Sequence, residues 1–440
     1  MKIKLSIIPI FLILNDVFVS IPNPGILILQ PGLNFESIRV FGFSFSGAVR
    51  LIGIPILSFI ILDSVKKRGL KKEVVIFLIP MICLFMTWIL QFFVIPKDAI
   101  PMHSTGVVRY ISWSLEYISL LLILNQKNSL KIVTIFATTL TILFFLLIIQ
   151  YPAIILNSKY SFSDVIQLYG TIKMNGIWGG ANEDANGAMT LLPFFLAYTE
   201  QKKGWKRVSC RIFAFIICPT MIFFNGTRTA LIFIYPLVLF LFYSNLSIKK
   251  IIKFSPILII LGMALQSVGG RIAETTFSND LEGGGTSGWR IEHVWTPAFN
   301  YALDTSPILG FGVRGWEYVS SLPGVLSVTE EGGASPHNIY LWIFISWGLV
   351  GLIFYFSLLI ILFFHSFRLT KDNDRKIAIY AKASFCSLIA YLIWGLISNA
   401  HIDIGWLVLI MIATSVVALN LKGTSKKQLN SRIHQTYLTG

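Results

Sequence analysis

The stretch HNIYLWIFISWGLVGLIFYFSLLIILFF, residues 337–364, decides the fold class of this chain. One histidine is followed by an apolar run without a charged residue, longer than the ~20 residues that a helix needs to cross a bilayer. A helix satisfies its own backbone hydrogen bonds, which lipid cannot do. The stretch therefore predicts a membrane-spanning helix that begins beside His337.

Similar apolar runs recur along the whole chain. The mean hydropathy is +0.73 over 440 residues, 55% of them hydrophobic and 13% charged, which excludes an ordinary soluble domain. We predict an all-α polytopic membrane protein with about twelve spans in a single integral membrane domain, residues 1–440. The predicted spans are residues 5–21, 43–62, 74–95, 107–124, 132–150, 187–198, 212–225, 230–246, 251–268, 338–364, 377–398 and 402–421.

The net charge of +15 follows the predicted topology. Basic residues cluster in alternate connectors, at residues 66–72, 202–207, 249–253, 368–376 and in the tail from 422. The positive-inside rule then places both termini and these connectors in the cytoplasm. Because the charge is distributed in this way, a nucleic-acid partner is excluded.

One polar interval is much longer than the other connectors. Residues 269–337 lie between the predicted ninth and tenth spans, and the topology places them in the periplasm. Apolar residues from Ile291 to Leu303 repeat at helical spacing, which predicts short helices inside this loop. Thr296-Pro297 should kink or restart the helix, because proline lacks the N–H. The apolar face could lie on the membrane surface or pack under the loop.

His337 is the candidate catalytic residue. Ser335-Pro336-His337 reads as a helix start with Ser335 as N-cap and His337 in the first turn. The helix dipole disfavours imidazolium there, so a neutral imidazole could accept a proton from a hydroxyl nucleophile. The alternative is a capping or solvent-exposed histidine.

Four further residues are candidates for binding an anionic substrate. Arg290 falls in the first turn of the predicted loop helix, where backbone N–H groups favour an anion; a surface ion pair with a nearby glutamate is the alternative. Arg228 lies in a tight outer turn, against the positive-inside tendency; its alternative is snorkelling to lipid headgroups. Arg314, in the long loop, and Asn338, beside His337, complete the set.

Charged residues also fall inside predicted spans. Counting along the helices puts Asp16 and Arg50 at equal depth, which predicts a structural ion pair, while Glu116 has no evident partner. The four cysteines lie in or beside predicted spans, so we expect no disulfide scaffold, and no metal-binding spacing is present. We expect neither a metal nor a cofactor.

Several short motifs together resemble the O-antigen ligase and polysaccharide polymerase superfamily of bacterial membrane glycosyltransferases. These motifs are Gly226-Thr227-Arg228-Thr229-Ala230, Gly288-Trp289-Arg290, Ser306-Pro307-Ile308-Leu309-Gly310-Phe311-Gly312 and Pro336-His337-Asn338-Ile339-Tyr340-Leu341 with Gly348 and Gly351. Ala185-Asn186-Gly187-Ala188-Met189 is similar to the family's Pro-Asn-x-x-Ala element but lacks its proline and its final alanine. The resemblance covers about residues 182–351.

The resemblance implies a GT-C-like fold and a metal-independent transfer at the periplasmic face of the inner membrane. The donor would be an undecaprenyl-diphosphate-linked glycan. The acceptor would be a second lipid-linked repeat unit in a polymerase, slightly favoured here, or the lipid A core in a ligase. His337 would activate the acceptor hydroxyl while Arg228 and Arg290 hold the diphosphate. Membrane lipids and a chain-length regulator are further expected partners. A lipid-linked oligosaccharide flippase would also have about twelve spans but would not need the long loop.

Overall fold

The computed structural model describes residues 7–19, 39–40, 43–67, 70–124, 129–157, 177–178, 180–227, 229–244, 291–326, 336–397 and 404–439. Helices make up nearly all of this part of the chain. They are α1 (Ile8–Val19), α2 (Phe45–Lys67), α3 (Lys72–Val94), α4 (Ile100–Leu124), α5 (Ser129–Asn157), α6 (Ala181–Glu200), α7 (Gly204–Asn225), α8 (Ala230–Tyr243), α9 (Thr296–Thr305), α10 (Gly315–Ser321), α11 (Ile339–Leu369), α12 (Arg375–Ile397) and α13 (Ile404–Thr439).

The remaining elements are small. A 3-10 turn, Lys97–Ala99, precedes α4, and a π-helical turn, Ile291–Trp295, precedes α9. Two short strands, β1 (Arg39–Val40) and β2 (Phe43–Ser44), pair antiparallel before α2. The π-helical turn runs directly into α9, with Trp295 still in helical conformation and Pro297 in the first turn of α9, so the predicted kink or restart stays a prediction.

Eight helices in the described residues are long and apolar enough to cross a membrane, namely α2, α3, α4, α5, α7, α11, α12 and α13. The apolar helices α1 and α8 are shorter. The protein is therefore a multi-pass membrane protein. Each predicted span in the described ranges overlaps a helix, whereas residues 251–268 lie outside them, so the count of twelve stays a prediction.

The helix α13 is the centre of the bundle. It packs against α3, α4, α5, α11 and α12, and nearly every residue from Gly405 to Gly423 is buried. An apolar helix that is buried on all sides belongs inside a large membrane domain. The helices α6 and α12 form a second extensive contact, and α11 packs on α3 and α12.

The charges in the first two helices form the predicted ion pair. Arg50 Nε lies 3.0 Å from Asp16 Oδ2, and both residues are buried. The Trp113 indole N–H donates to the same oxygen at 3.0 Å. Nearby, Ser112 donates to Glu116 Oε1 at 2.9 Å, a partner within α4 that the sequence analysis did not identify. The cluster contains residues of α1, α2 and α4 and therefore joins these three helices. A buried charge is costly unless it is paired, so the ion pair should keep the helices in contact.

Candidate functional site

The start of α11 differs from the prediction in one respect. Asn338 is the N-cap: its Oδ1 accepts from the backbone N–H of Tyr340 at 3.0 Å and of Leu341 at 3.1 Å. The prediction of Ser335 as N-cap, with His337 in the first turn, is therefore wrong. Asparagine is as good an N-cap as serine, so the local sequence was compatible with a helix that begins after either residue. His337 lies directly before the cap, and Asn338 has a structural role.

His337 has an unusual backbone conformation. Its φ is +47°, and among the described non-glycine residues no other has a positive φ. L-residues occupy this left-handed region rarely, and residues held there cluster at functional sites. The Trp295 indole N–H donates to the carbonyl of Pro336 at 2.6 Å, so the residue before His337 is fixed by the loop helix.

The loop helix packs against the first part of α11. Val294, Ala298 and Ala302 are buried, and the Phe299 ring lies 5.0 Å from the Phe344 ring. Part of the apolar face therefore packs on the protein, whereas Ile291, Phe299 and Leu303 of the same face are 41–48% exposed. Trp295, at the end of the π-helical turn, is thereby placed beside the segment that carries His337.

The helix α11 is broken at Gly348, whose φ of 67° and ψ of −170° fit only glycine. In an unbroken helix the Leu349 and Val350 N–H groups would donate to the carbonyls of Ile345 and Ser346. Instead they donate to the carbonyls of Pro307 and Ile308, at 2.9 and 3.1 Å.

The two carbonyls that the break releases are satisfied by the same loop. The Ile345 carbonyl accepts from Phe311 N–H at 3.0 Å, and the Ser346 carbonyl accepts from Gly312 N–H at 2.9 Å. Residues 306–312 thus replace two helical hydrogen bonds with four of their own. We call this contact, between residues 306–312 and 345–350, the loop–helix junction.

Glycines make the junction possible. A Cβ on Gly348 would lie 2.3 Å from the Ile308 carbonyl oxygen, and one on Gly310 would lie 2.6 Å from Gly348 N. Gly310 also has a positive φ of 66°. Gly348 and Gly310 belong to the motifs named above, but the break was not predicted, since a glycine inside an apolar run is also compatible with a continuous helix.

Two polar side chains from neighbouring spans hold the junction. Gln91 of α3 is buried, and its Nε2 donates to the carbonyls of Leu309 at 2.5 Å and Ser346 at 2.8 Å. His103 of α4 is also buried, and its Nδ1 accepts from Val313 N–H at 3.1 Å. Neither residue was predicted. A glutamine within an apolar span was the available signal, because such residues need an internal partner.

Arg314 lies at the outer edge of this junction. It is the N-cap position of α10, and its guanidinium contacts Thr105 Oγ1 at 3.3 Å and Glu317 Oε1 at 3.6 Å. Its side chain is 45% exposed, so the ion pair contributes little to stability. The exposed guanidinium could contact an anionic substrate.

Arg228 and Arg290 lie outside the described residues, but their neighbours are described. Thr227 Oγ1 donates to Asn225 Oδ1 and also lies 3.4 Å from Asn182 Oδ1, which places the residue before Arg228 beside the first turn of α6. Ile291, directly after Arg290, begins the π-helical turn that ends at Trp295.

The beginnings of α6 and α11 both lie beside the last turns of α12, at one end of the bundle. The Trp178 ring, just before α6, stacks on Trp394 of α12 at 6.0 Å, and Tyr340 of α11 donates to the Leu392 carbonyl at 2.8 Å. The turn that follows α7 and the segment with His337 therefore belong to the same end. Motifs that are far apart in sequence are gathered there.

The described residues offer no cluster of three or more His, Cys, Asp or Glu side chains that could hold a metal ion. All four cysteines are free. The polar groups that this end of the bundle gathers include an imidazole, a guanidinium, carboxylates, amides and hydroxyls. Such groups can transfer a proton and bind anionic oxygens.

Comparison with known proteins agrees with this arrangement. Residues 213–356 match the family model described as O-Antigen ligase. The matched segment contains the turn after α7, the loop helix, the loop–helix junction and His337. A comparison with curated proteins found no match. The resemblance drawn from the motifs is thus confirmed: over residues 213–356 the chain is similar to the O-antigen ligase and polysaccharide polymerase superfamily, which indicates a ligase- or polymerase-type function in surface polysaccharide biosynthesis.

Proposed function

We propose that this protein is a glycosyltransferase that moves a glycan from an undecaprenyl-diphosphate carrier to a sugar hydroxyl, at the end of the bundle where α11 begins. The observation that carries the proposal is the fixed position of His337. It stands in a strained conformation at the start of a broken span, within the segment that matches the family. In a bacterial inner membrane with cytoplasmic termini, this end would face the periplasm.

In the proposed reaction His337 removes the proton from the acceptor hydroxyl as its oxygen attacks the anomeric carbon of the donor. The bond from that carbon to the diphosphate oxygen breaks, and the lipid diphosphate leaves with the electron pair. Arg228 and Arg290 bind the diphosphate, since guanidinium groups stabilise negative charge that develops on a leaving group. Arg314 has the exposure needed to bind another anionic part of the donor. No residue in this scheme requires a metal.

Two acceptors are compatible with this reaction. A polymerase would use a second lipid-linked repeat unit, which is the acceptor that the sequence analysis slightly favours. A ligase would use the lipid A core, and the description of the matching family favours this second candidate. In either enzyme both substrates are anchored in the membrane and meet at its surface. A chain-length regulator would accompany the polymerase.

A gel of surface polysaccharide from a deletion strain tests the proposal. Loss of a polymerase should leave lipid A core with a single repeat unit, because the ligase still works. Loss of a ligase should leave bare core, with polymer retained on the lipid carrier. Unchanged polysaccharide would contradict both assignments.

The arginine roles need substitutions in the complemented strain. Arg228→Ala and Arg290→Ala should abolish the product while protein levels stay normal. Lysine at either position should restore only part of the activity, since an ammonium cannot make the bidentate contact of a guanidinium. Lys376→Ala, which removes an exposed positive charge from the first turn of α12, is the control. Full activity in the alanine variants would remove both arginines from the scheme.

A further inference from the structure

A cavity lies at the opposite end of α11 from His337. It has a volume of about 320 Å³ and is lined by Phe364, His365, Phe367, Arg368 and Lys371. These residues form one face of the last turns of the helix and the residues directly after it. The reaction proposed above uses none of them.

The two cations of this cavity are held in place by neighbouring groups. Arg368 donates from a terminal guanidinium nitrogen to Asn420 Oδ1 of α13 at 2.6 Å, and His365 Nδ1 lies 3.2 Å from the same oxygen. The Lys371 ammonium lies 5.2 Å from the centre of the Phe367 ring. Within the described part of the chain, neither Arg368 nor Lys371 forms an ion pair. Two positive charges, one of them oriented by Asn420, therefore remain available to an anion.

The depth of these cations matches the level of lipid headgroups. The part of α11 after the break runs from Leu349 to Leu369, and these 21 residues extend about 30 Å at 1.5 Å per residue. That length equals the hydrocarbon thickness of a bilayer, so one part of the helix alone can span it. Arg368 and Lys371 lie at the end of this length, where phosphate groups are found.

An apolar side chain lies one turn deeper on the same face. Phe364 is 58% exposed, although it belongs to the cavity wall. A ligand with a phosphate at the level of Arg368 and a hydrocarbon chain below it would contact both kinds of surface. Free phosphate would use only the cations.

We propose that this cavity binds the headgroup of an anionic phospholipid, with the phosphate between Arg368 and Lys371 and an acyl chain along Phe364. Asn420 orients the guanidinium, so the site depends on the contact between α11 and α13.

Native mass spectrometry of the full-length protein in detergent, with phosphatidylglycerol or phosphatidylcholine added, tests the proposal. Phosphatidylglycerol should be retained in preference to phosphatidylcholine. The double variant Arg368→Gln/Lys371→Gln should lower the apparent affinity for phosphatidylglycerol about 30-fold, since each cation near anionic lipid contributes about 1 kcal/mol. The matched control, Arg375→Gln/Lys376→Gln, removes two exposed charges from the first turn of α12, outside the cavity, and should change little.

Two further measurements distinguish a bound lipid from a bound free anion. Phe364→Ala should weaken retention of phosphatidylglycerol, and inorganic phosphate should not displace the lipid. Equal retention of both lipids, or an equal loss in the two double variants, would overturn the proposal. Displacement by inorganic phosphate, with no effect of Phe364→Ala, would replace the lipid by a free anion.

Discussion

The loop–helix junction and the charged cluster of α1, α2 and α4 both bury polar groups in the bundle, but by different means. In the cluster, Arg50, Asp16 and Trp113 satisfy one another through their side chains. At the junction the polar groups belong to the backbone, and the partners come from a loop. A side-chain cluster joins helices that stay regular, whereas the junction maintains a break in the helix that begins beside His337. Substitutions in the cluster should therefore change stability alone, and substitutions at the junction should change stability and activity together.

His337→Ala should have the largest effect, because it removes the proposed base from the end of the helix that the junction holds. General-base catalysis contributes about 10²–10⁴-fold, so glycan transfer should fall by that factor at unchanged protein level. The rate of transfer by purified protein, or product on a gel, measures it.

Two further variants define the role of His337. His293→Ala, in the π-helical turn of the same loop, should be tolerated. His337→Gln keeps hydrogen bonding without basicity and should be as inactive as alanine. If the glutamine variant were fully active, His337 would bind or position the substrate, and another group would accept the proton of the acceptor hydroxyl.

Arg50→Met tests the charged cluster. It leaves the buried Asp16 carboxylate without its ion-pair partner and should cost about 3–5 kcal/mol of stability. The double variant Asp16→Asn/Arg50→Met removes both charges and keeps an acceptor for the Trp113 indole, so it should be more stable than the single variant. Thermal unfolding in detergent measures both. Transfer per folded molecule should stay at the wild-type level, and a selective loss of transfer would show that the cluster belongs to the site.

Gly348→Ala tests the junction itself. The new Cβ would lie 2.3 Å from the Ile308 carbonyl oxygen, in a backbone conformation that alanine rarely adopts. Strain and overpacking together should cost about 2–5 kcal/mol. Thermal unfolding and transfer should both decline.

Gly204→Ala is the matched control for Gly348→Ala, because Gly204 has a φ of +56° and open space around it. It carries the cost of a positive φ, about 1–2 kcal/mol, without the clash. Equal losses in the two alanine variants would mean that the contact with residues 306–312 adds nothing to the conformational strain.

The regular parts of this fold could be predicted from the sequence. Apolar runs long enough to cross a bilayer predicted the helices, because a backbone surrounded by lipid has few other ways to satisfy its hydrogen bonds. The pairing of Asp16 with Arg50 followed from their equal depth, and the helical spacing of apolar residues from Ile291 to Leu303 predicted the loop helix. Each of these depends on local chemistry or on simple counting along a helix.

The irregular parts depend on contacts between distant segments. Gly348 is compatible with a straight helix until residues 306–312 supply replacement hydrogen bonds. Gln91 donates to carbonyls more than two hundred residues away, a pairing that one sequence does not reveal. Ser335 and Asn338 are both good N-cap residues. The helix begins at Asn338 because His337 adopts a non-helical conformation, next to the Pro336 carbonyl that Trp295 binds.

Trp295→Phe should have the smallest effect. It keeps an aromatic ring beside α11 but removes the indole N–H that donates to the Pro336 carbonyl at 2.6 Å. The loss of one such bond, about 0.5–1.5 kcal/mol, should reduce the rate constant for transfer about 2–12-fold by letting His337 move. The KM for the donor should change little, because Trp295 contacts the backbone beside the base and not the proposed diphosphate-binding groups. Trp205→Phe, the same substitution at a 73% exposed position, is the matched control and should leave transfer unchanged. If Trp295→Phe lowered the unfolding temperature while transfer per folded molecule stayed constant, Trp295 would stabilise the loop without positioning His337, and the loop helix would resemble the charged cluster more than the junction.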